Sequence, residues 1–276
     1  MKFRCRMVDV VPMRDFTNII NNIARMAKQC VLRITPKDLC FKVGDDRIPT
    51  VWAELSQNYF FSEFVMMGVS DEQNEIYLEF DATMLARSLG SLRMTAKSVK
   101  IKLTNKRQPC LTLEIELPSL SIEARQCMHD VPVRVIPRKE WTEHQAPNIP
   151  GVDISVDMPQ LKHVKNIVDR MKNMSSRLTL SADKSGMFVL KIDTDSATVA
   201  THFQGLPVWG CSQKNDDDDD KISATVDVKK LLMFLGWDIV HPDSVKCNIM
   251  NETMVNLCLH LGDHLKILYF IPAIAT

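Results

Sequence analysis

The chain has 276 residues, 45% hydrophobic and 25% charged, with 34 basic against 34 acidic residues and a formal net charge of +0. At about 150 residues per domain this suggests roughly two domains, able to bury about three-quarters of the unfolded surface without a metal or disulfide staple. Extended disorder and a uniformly basic nucleic-acid coat are excluded. No apolar run reaches the ~18 residues of a membrane span, and the opening Met1-Lys2-Phe3-Arg4-Cys5-Arg6 reads as a strand, not a secretion signal. The eight cysteines, at 5, 30, 40, 110, 127, 211, 247 and 258, include no Cys-x-x-Cys pair. Zinc sites and small disulfide frameworks depend on such pairs. We therefore expect buried free thiols in a reducing compartment, no metal and no cofactor.

In chain order, Lys2–Val8 reads as a strand and Met13–Lys28 as an amphipathic helix. Strands follow near Val31–Ile34, Leu39–Val43, Val51–Leu55, Phe61–Met67 and Glu75–Phe80. A second helix spans Ala82–Met94 with Asp81 as its N-cap. Strands at Val99–Leu103, Cys110–Leu117 and Met128–Ile136 close this half. The next half begins with a strand at Val152–Met158 and a helix at Gln160–Met174. Strands are expected at Leu178–Ala182, Met187–Ile192 and Thr198–Phe203. Helix Val228–Trp237 and strands Val245–Met250, Met254–Leu259 and His264–Ile271 complete the chain.

The two halves repeat one another. Leu85-Ala86-Arg87-Ser88-Leu89-Gly90 aligns with Leu231-Leu232-Met233-Phe234-Leu235-Gly236, and Ser98-Val99-Lys100 aligns at the same offset with Ser244-Val245-Lys246. Phe16, Ile19, Ile20, Ile23 and Met26 overlie Val164, Ile167, Val168, Met171 and Met174. Between the halves, Pro137–Gly151 carries Pro137, Pro147 and Pro150 and reads as an extended, stiff linker. This divides the chain into domains 1–136 and 152–276 with a connector at 137–151. Gln204–Asp220 ends in five aspartates, Asp216 to Asp220, a self-repelling surface loop without the spaced ligands of a calcium site.

The charge is segregated. On a helical wheel the first helix puts Met13, Ile19, Ile20, Ile23 and Ala27 beside Phe16, and Arg14, Asn18, Asn21, Arg25 and Lys28 opposite. Such donor-only side chains suit phosphate oxygens. Across the four helices eleven basic residues face two acidic ones, so the remainder of the molecule carries the compensating negative charge. Ordinary surface helices mix signs to gain i,i+4 pairs. These mostly avoid acids, as a DNA-facing lining would need.

Specific words carry a family resemblance. Met1-Lys2-Phe3-Arg4, Glu75-Ile76-Tyr77-Leu78-Glu79, Lys100-Ile101-Lys102-Leu103-Thr104-Asn105-Lys106 and His129-Asp130-Val131-Pro132-Val133-Arg134-Val135-Ile136-Pro137-Arg138-Lys139 are the longest. Thr201-His202-Phe203 and Tyr269-Phe270-Ile271-Pro272-Ala273 complete them. Together with the tandem plan, they make the chain resemble sliding clamps of the proliferating cell nuclear antigen class, in the hydroxyurea-sensitivity branch of the DNA-damage checkpoint clamps. That resemblance implies an α+β fold of two tandem clamp domains, with antiparallel sheets outside and two helices per domain inside. It implies a heterotrimer with two paralogous subunits, closed around double-stranded DNA by an ATP-driven clamp loader. It also implies checkpoint-kinase activators and repair enzymes as partners, no membrane, and a nuclear location with room for a cytoplasmic pool.

By the same resemblance Arg14, Asn18, Asn21, Arg25, Lys28, Arg87, Lys162 and Lys229 face DNA. Subunits meet along two sheet edges, through Met128, Val131, Val133 and Val135 on one and Thr198, Ala200 and His202 on the other. Client peptides dock near Trp141, Tyr269, Ile271 and Pro272. Catalysis has no support, and no catalytic residue is assigned. His129-Asp130 are strand neighbours pointing to opposite faces, and no nucleophile, zinc-protease or phosphate-loop motif occurs. Two non-enzymatic rivals stay open, a homotrimeric replication clamp and a DNA-free interaction scaffold.

Overall fold

Alternation decides the strands. In β1 (Lys2–Met7) the residues Phe3, Cys5 and Met7 are buried while Lys2 and Arg4 stay exposed, the period-two pattern of a sheet with one dry face. The computed structural model describes residues 1–44, 49–70, 72–90, 96–118, 125–149, 151–211 and 221–274, so the aspartate run Asp216 to Asp220 lies outside the described residues. Two compact units emerge, one of 1–146 with 263–265, the other of 147–262 with 266–276.

The first unit continues with α1 (Val10–Met26), β2 (Gln29–Ile34), β3 (Asp38–Gly44), β4 (Pro49–Ser56), the single turn α2 (Gln57–Phe60) and β5 (Glu63–Met67). Then come β6 (Ile76–Asp81), α3 (Ala82–Gly90), β7 (Ser98–Asn105), β8 (Pro109–Leu117) and β9 (Arg125–Val135). Its strands lie in the order β4-β3-β2-β6-β9-β8-β7-β1-β5, every described pairing antiparallel.

The second unit runs β10 (Ile154–Asp157), α4 (Leu161–Met171), β11 (Arg177–Ala182), β12 (Phe188–Asp193), β13 (Thr198–Phe203) and β14 (Val208–Cys211). It ends with β15 (Ile222–Asp227), α5 (Val228–Leu235), β16 (Ser244–Met250), β17 (Met254–Leu261) and β18 (Leu265–Pro272). Its strands take the orders β14-β10-β16-β17-β18 and β13-β12-β11-β15. Apart from α2, each element of the first unit has a counterpart in the second, in the same order. The ladders β1–β5, β1–β7, β2–β3, β2–β6 and β3–β4 return as β10–β14, β10–β16, β11–β12, β11–β15 and β12–β13.

The same capping chemistry starts both second helices. Asp81 accepts from the amides of Thr83 and Met84 at 2.8 and 3.3 Å, and Asp227 accepts from those of Lys229 and Lys230 at 2.7 and 3.2 Å. Each carboxylate satisfies amides that have no intrahelical partner. Gly186, at φ +82°, turns the chain between β11 and β12 where an added Cβ would strike the Leu206 carbonyl; only glycine fits both demands.

Several elements differ from the sequence reading. The helix bounds move: the first is shifted, Val10–Met26 in place of 13–28, and two are shorter, Leu161–Met171 in place of 160–174 and Val228–Leu235 in place of 228–237. Gly236–Val240 tightens into a 3-10 turn. The irregular stretch 204–220 contains β14, and β15, α2 and the start of β9 at Arg125 were not anticipated.

Part of the expected extended linker is a 3-10 helix, Arg138–His144. Trp141 explains it. This indole is buried against Tyr77 at a ring separation of 4.8 Å, and its Nε1 donates to the Ile136 carbonyl at 3.0 Å. The buried Lys42 ammonium donates to the Glu143 carbonyl, and Gln145 Nε2 donates to the Tyr77 hydroxyl at 2.8 Å. A tethered turn buries more apolar surface than a free strand would.

Phe16 is the central contact of the first unit. It is 1% exposed and meets Phe41, Phe60 and Phe61 edge-on at 6.2, 6.2 and 6.0 Å, the geometry aromatic quadrupoles favour. Phe16→Ala should cost about 3–5 kcal/mol, read as a lowered urea midpoint for the first unit; a loss under about 1 kcal/mol would contradict this placement.

Glu75 supplies a pH handle on the same unit. Burial alone would raise its carboxyl, but hydrogen bonds from Arg33 and Tyr77, with the Arg33 charge, outweigh it and hold the group below its usual value. A depressed folded-state value stabilises above the unfolded value, about 4.3, and is lost as pH falls through the folded one. The wild-type urea midpoint should therefore drop more steeply below about pH 4 than that of Glu75→Gln; parallel curves would refute the assignment.

Candidate nucleic-acid and subunit interfaces

The helices position the basic side chains. In α1 the stripe Met13, Phe16, Ile19, Ile20 and Ile23 is buried, which leaves Arg14 and Arg25 exposed, with Lys28 just beyond the helix end, and Asn18 and Asn21 half-buried. α3 packs beside α1, burying Ala82, Leu85 and Leu89 and exposing Met84 and Arg87. In the second unit α4 buries Leu161, Val164, Val168 and Met171 and exposes Lys162, His163, Asn166 and Arg170. α5, packed beside α4, buries Leu231, Phe234 and Leu235 and exposes Lys229, Lys230 and Met233. Every cation assigned from sequence is thus exposed, and each unit presents its own.

Within the observed helix bounds eight basic residues stand against two acidic ones, Asp15 and Asp169. Asp15, read as a flanking acid, is buried; its carboxylate accepts from Arg14 Nε at 3.2 Å and from the Tyr59 hydroxyl at 3.3 Å. Asp169 pairs with Lys172 at 2.8 Å, a surface contact of little energy. Arg170, Lys165 and Lys230 belong to the same faces and were not singled out from sequence. The wheel that marked α1 would have marked them.

Among the described residues the two expected sheet edges lack an outer partner, by different means. There β13 pairs with β12 alone, and Thr198, Ala200 and His202 are exposed on one of its faces. β9 is divided: Val133 to Val135 pair with β6, whereas Arg125 to Pro132 pair, among the described residues, only with β8. An unpaired strand edge is a ready template for another strand. Met128 is 55% exposed there, near a polar cluster in which Asp130 accepts from Lys106 and Thr112. Those two hydrogen bonds hold the Asp130 carboxyl below its usual range. Val131 and Val133 are a correction, because both side chains are buried and Val135 is half-buried. Of these four residues only Met128 presents an exposed side chain along this strand.

The client-docking set is also corrected. Trp141 is 8% exposed, Tyr269 1% and Ile271 0%; Tyr269 donates from its hydroxyl to the Lys230 carbonyl at 2.9 Å and leans on Phe234. These rings are internal packing, and of the four residues only Pro272 is exposed.

Among the described residues no group of three or more His, Cys, Asp or Glu is placed to hold a metal ion, and no helix is long and apolar enough to cross a membrane. Cys5, Cys30, Cys40, Cys110, Cys127, Cys247 and Cys258 are free thiols. Burial raises those of Cys5, Cys30 and Cys40, and pushes Cys247 up to about 12.

Comparison with known proteins agrees with this architecture. The chain is 43% identical to Checkpoint protein HUS1 of Homo sapiens over the whole of both chains. It is 28% identical to Checkpoint protein Hus1-like of Drosophila melanogaster over 99% of each, and 27% identical to Checkpoint protein hus1 of Schizosaccharomyces pombe over 75% of this chain and 70% of that one. The structure of Proliferating Cellular Nuclear Antigen from Entamoeba histolytica superposes with a TM-score of 0.70 over 99% of both chains at 9% identity, so the fold is the α+β clamp fold. A family model for Hus1-like protein matches residues 1–275, and the chain belongs to that family.

Proposed function

We propose that this protein is one non-catalytic subunit of a heterotrimeric checkpoint sliding clamp that encircles double-stranded DNA. The observation that carries the reading is the exposed, acid-poor basic face that each unit presents on its helix pair. A ring held on DNA by topology needs only weak, sequence-blind phosphate contacts. Arg14, Asn18, Asn21, Arg25, Lys28, Arg87, Lys162 and Lys229 supply them. The open sides of β9 and β13 differ in shape and chemistry, which suits head-to-tail union with two paralogous subunits. A clamp loader closes the ring, repair enzymes and checkpoint-kinase activators use it, and it works in the nucleus, in somatic and meiotic cells.

The test is retention of the loaded ring on DNA. Each lost phosphate contact should lower the salt slope by about 0.9 in log K, so the triple change Arg14→Glu, Arg25→Glu, Lys28→Glu should shorten residence on circular DNA and flatten its salt dependence by about 2.7. An unaltered residence would overturn the DNA-facing assignment. Equal retention on linear and circular DNA would replace encirclement with a scaffold. By light scattering the isolated chain should be a monomer; a self-trimer would favour a replication clamp.

A further inference from the structure

β9 places a thiol and an imidazole at a metal's bite. Cys127 and His129 sit at alternate positions of one strand, so their side chains leave the same face, and Sγ lies 3.6 Å from Nε2. Zinc binds thiolate sulfur at about 2.3 Å and imidazole nitrogen at about 2.0–2.1 Å in tetrahedral geometry. Those lengths and that angle require a sulfur–nitrogen separation of about 3.6 Å. Of Cys5, Cys30, Cys40, Cys110, Cys127, Cys247 and Cys258, Cys127 is the one that is not buried. The backbone beneath is fixed, because Cys127 lies opposite Ile115 and His129 opposite Leu113 in the β8 ladder. Both side chains are half-buried, and the pair stands on the half of β9 whose other side has no ladder partner among the described residues, where a strand can be laid.

The second Cys-x-His pair of the chain behaves differently. Cys258 and His260 alternate in the same way on β17, but their atoms are 3.1 Å apart and Cys258 is buried. That spacing suits a thiol–imidazole hydrogen bond better than a tetrahedral ion.

We propose that Cys127 and His129 form an open half-site for a thiophilic divalent cation of the zinc class. The described residues supply two ligands. The thiol proton leaves to solvent as sulfur donates its lone pair, the neutral imidazole donates from Nε2, and two waters complete the tetrahedron in the isolated subunit. A strand laid along the open side of β9 can replace those waters, which makes the site an interface clip rather than a folding staple. The lack of paired cysteine spacing argues against a cysteine-rich closed site; it leaves an open one untouched.

Cobalt(II) tests this directly on the full chain, since thiolate ligation gives a near-ultraviolet charge-transfer band. One equivalent should produce the band, zinc should displace it, and Cys127→Ser or His129→Ala should each weaken binding at least tenfold while Cys258→Ser leaves it intact. Because a proton must leave the sulfur, binding should weaken on acidification. Zinc should also slow maleimide labelling of Cys127 at least tenfold, a readout that does not depend on any variant folding. Absence of the band, its survival in Cys127→Ser, or labelling indifferent to zinc would each overturn the proposal.

Discussion

One constraint shapes each unit: an antiparallel sheet with a single apolar face must cover that face, and two helices do so. The covering consumes the apolar stripe of every helix, Phe16 with Ile19, Ile20 and Ile23 in α1, Val164 with Val168 in α4. What remains of each helix is committed to solvent or to a ligand. The cations are therefore presented by the packing that builds the core, and core and charged face cannot be altered independently. Reversing a cation leaves the packed stripe in place, whereas truncating Phe16 disturbs both.

Duplication extends this constraint to the second unit. The ladders are rebuilt in the same order, and the same aspartate cap begins α3 and α5. These agreements are backbone matters, set by turn chemistry, capping and alternation. The differences gather where backbone demands end. The first unit has the extra turn α2 and joins β9 to β6; in the second unit β13, β12, β11 and β15 stand as a separate sheet.

Much of this was legible in the residues. The four long helices, the Asp81 cap, the repeat and the exposed basic faces follow from periodicity and capping, local properties that a chain displays residue by residue. The illegible parts are those decided by distant partners. β15 begins immediately after the aspartate run and reads as loop until β11 pairs with it. Trp141 looked available because its linker is polar, yet Tyr77, far away in sequence, is what buries it. Val131 and Val133 sit on an edge in sequence terms, but alternation turns their side chains inward and leaves only Met128 out. The Cys127 and His129 pair escaped because cysteine spacing was weighed against closed zinc motifs, while a strand brings i and i+2 together.

The two second helices carry one further message. At the repeat offset Met84 aligns with Lys230 and Arg87 with Met233, so the copies have exchanged a cation for a thioether at both exposed positions. Charges planted out of phase cannot all meet a regularly spaced polyanion at once. If the proposed ring forms, some attractions strengthen as others fade, the corrugation of the summed potential flattens, and a threaded rod would glide with little friction.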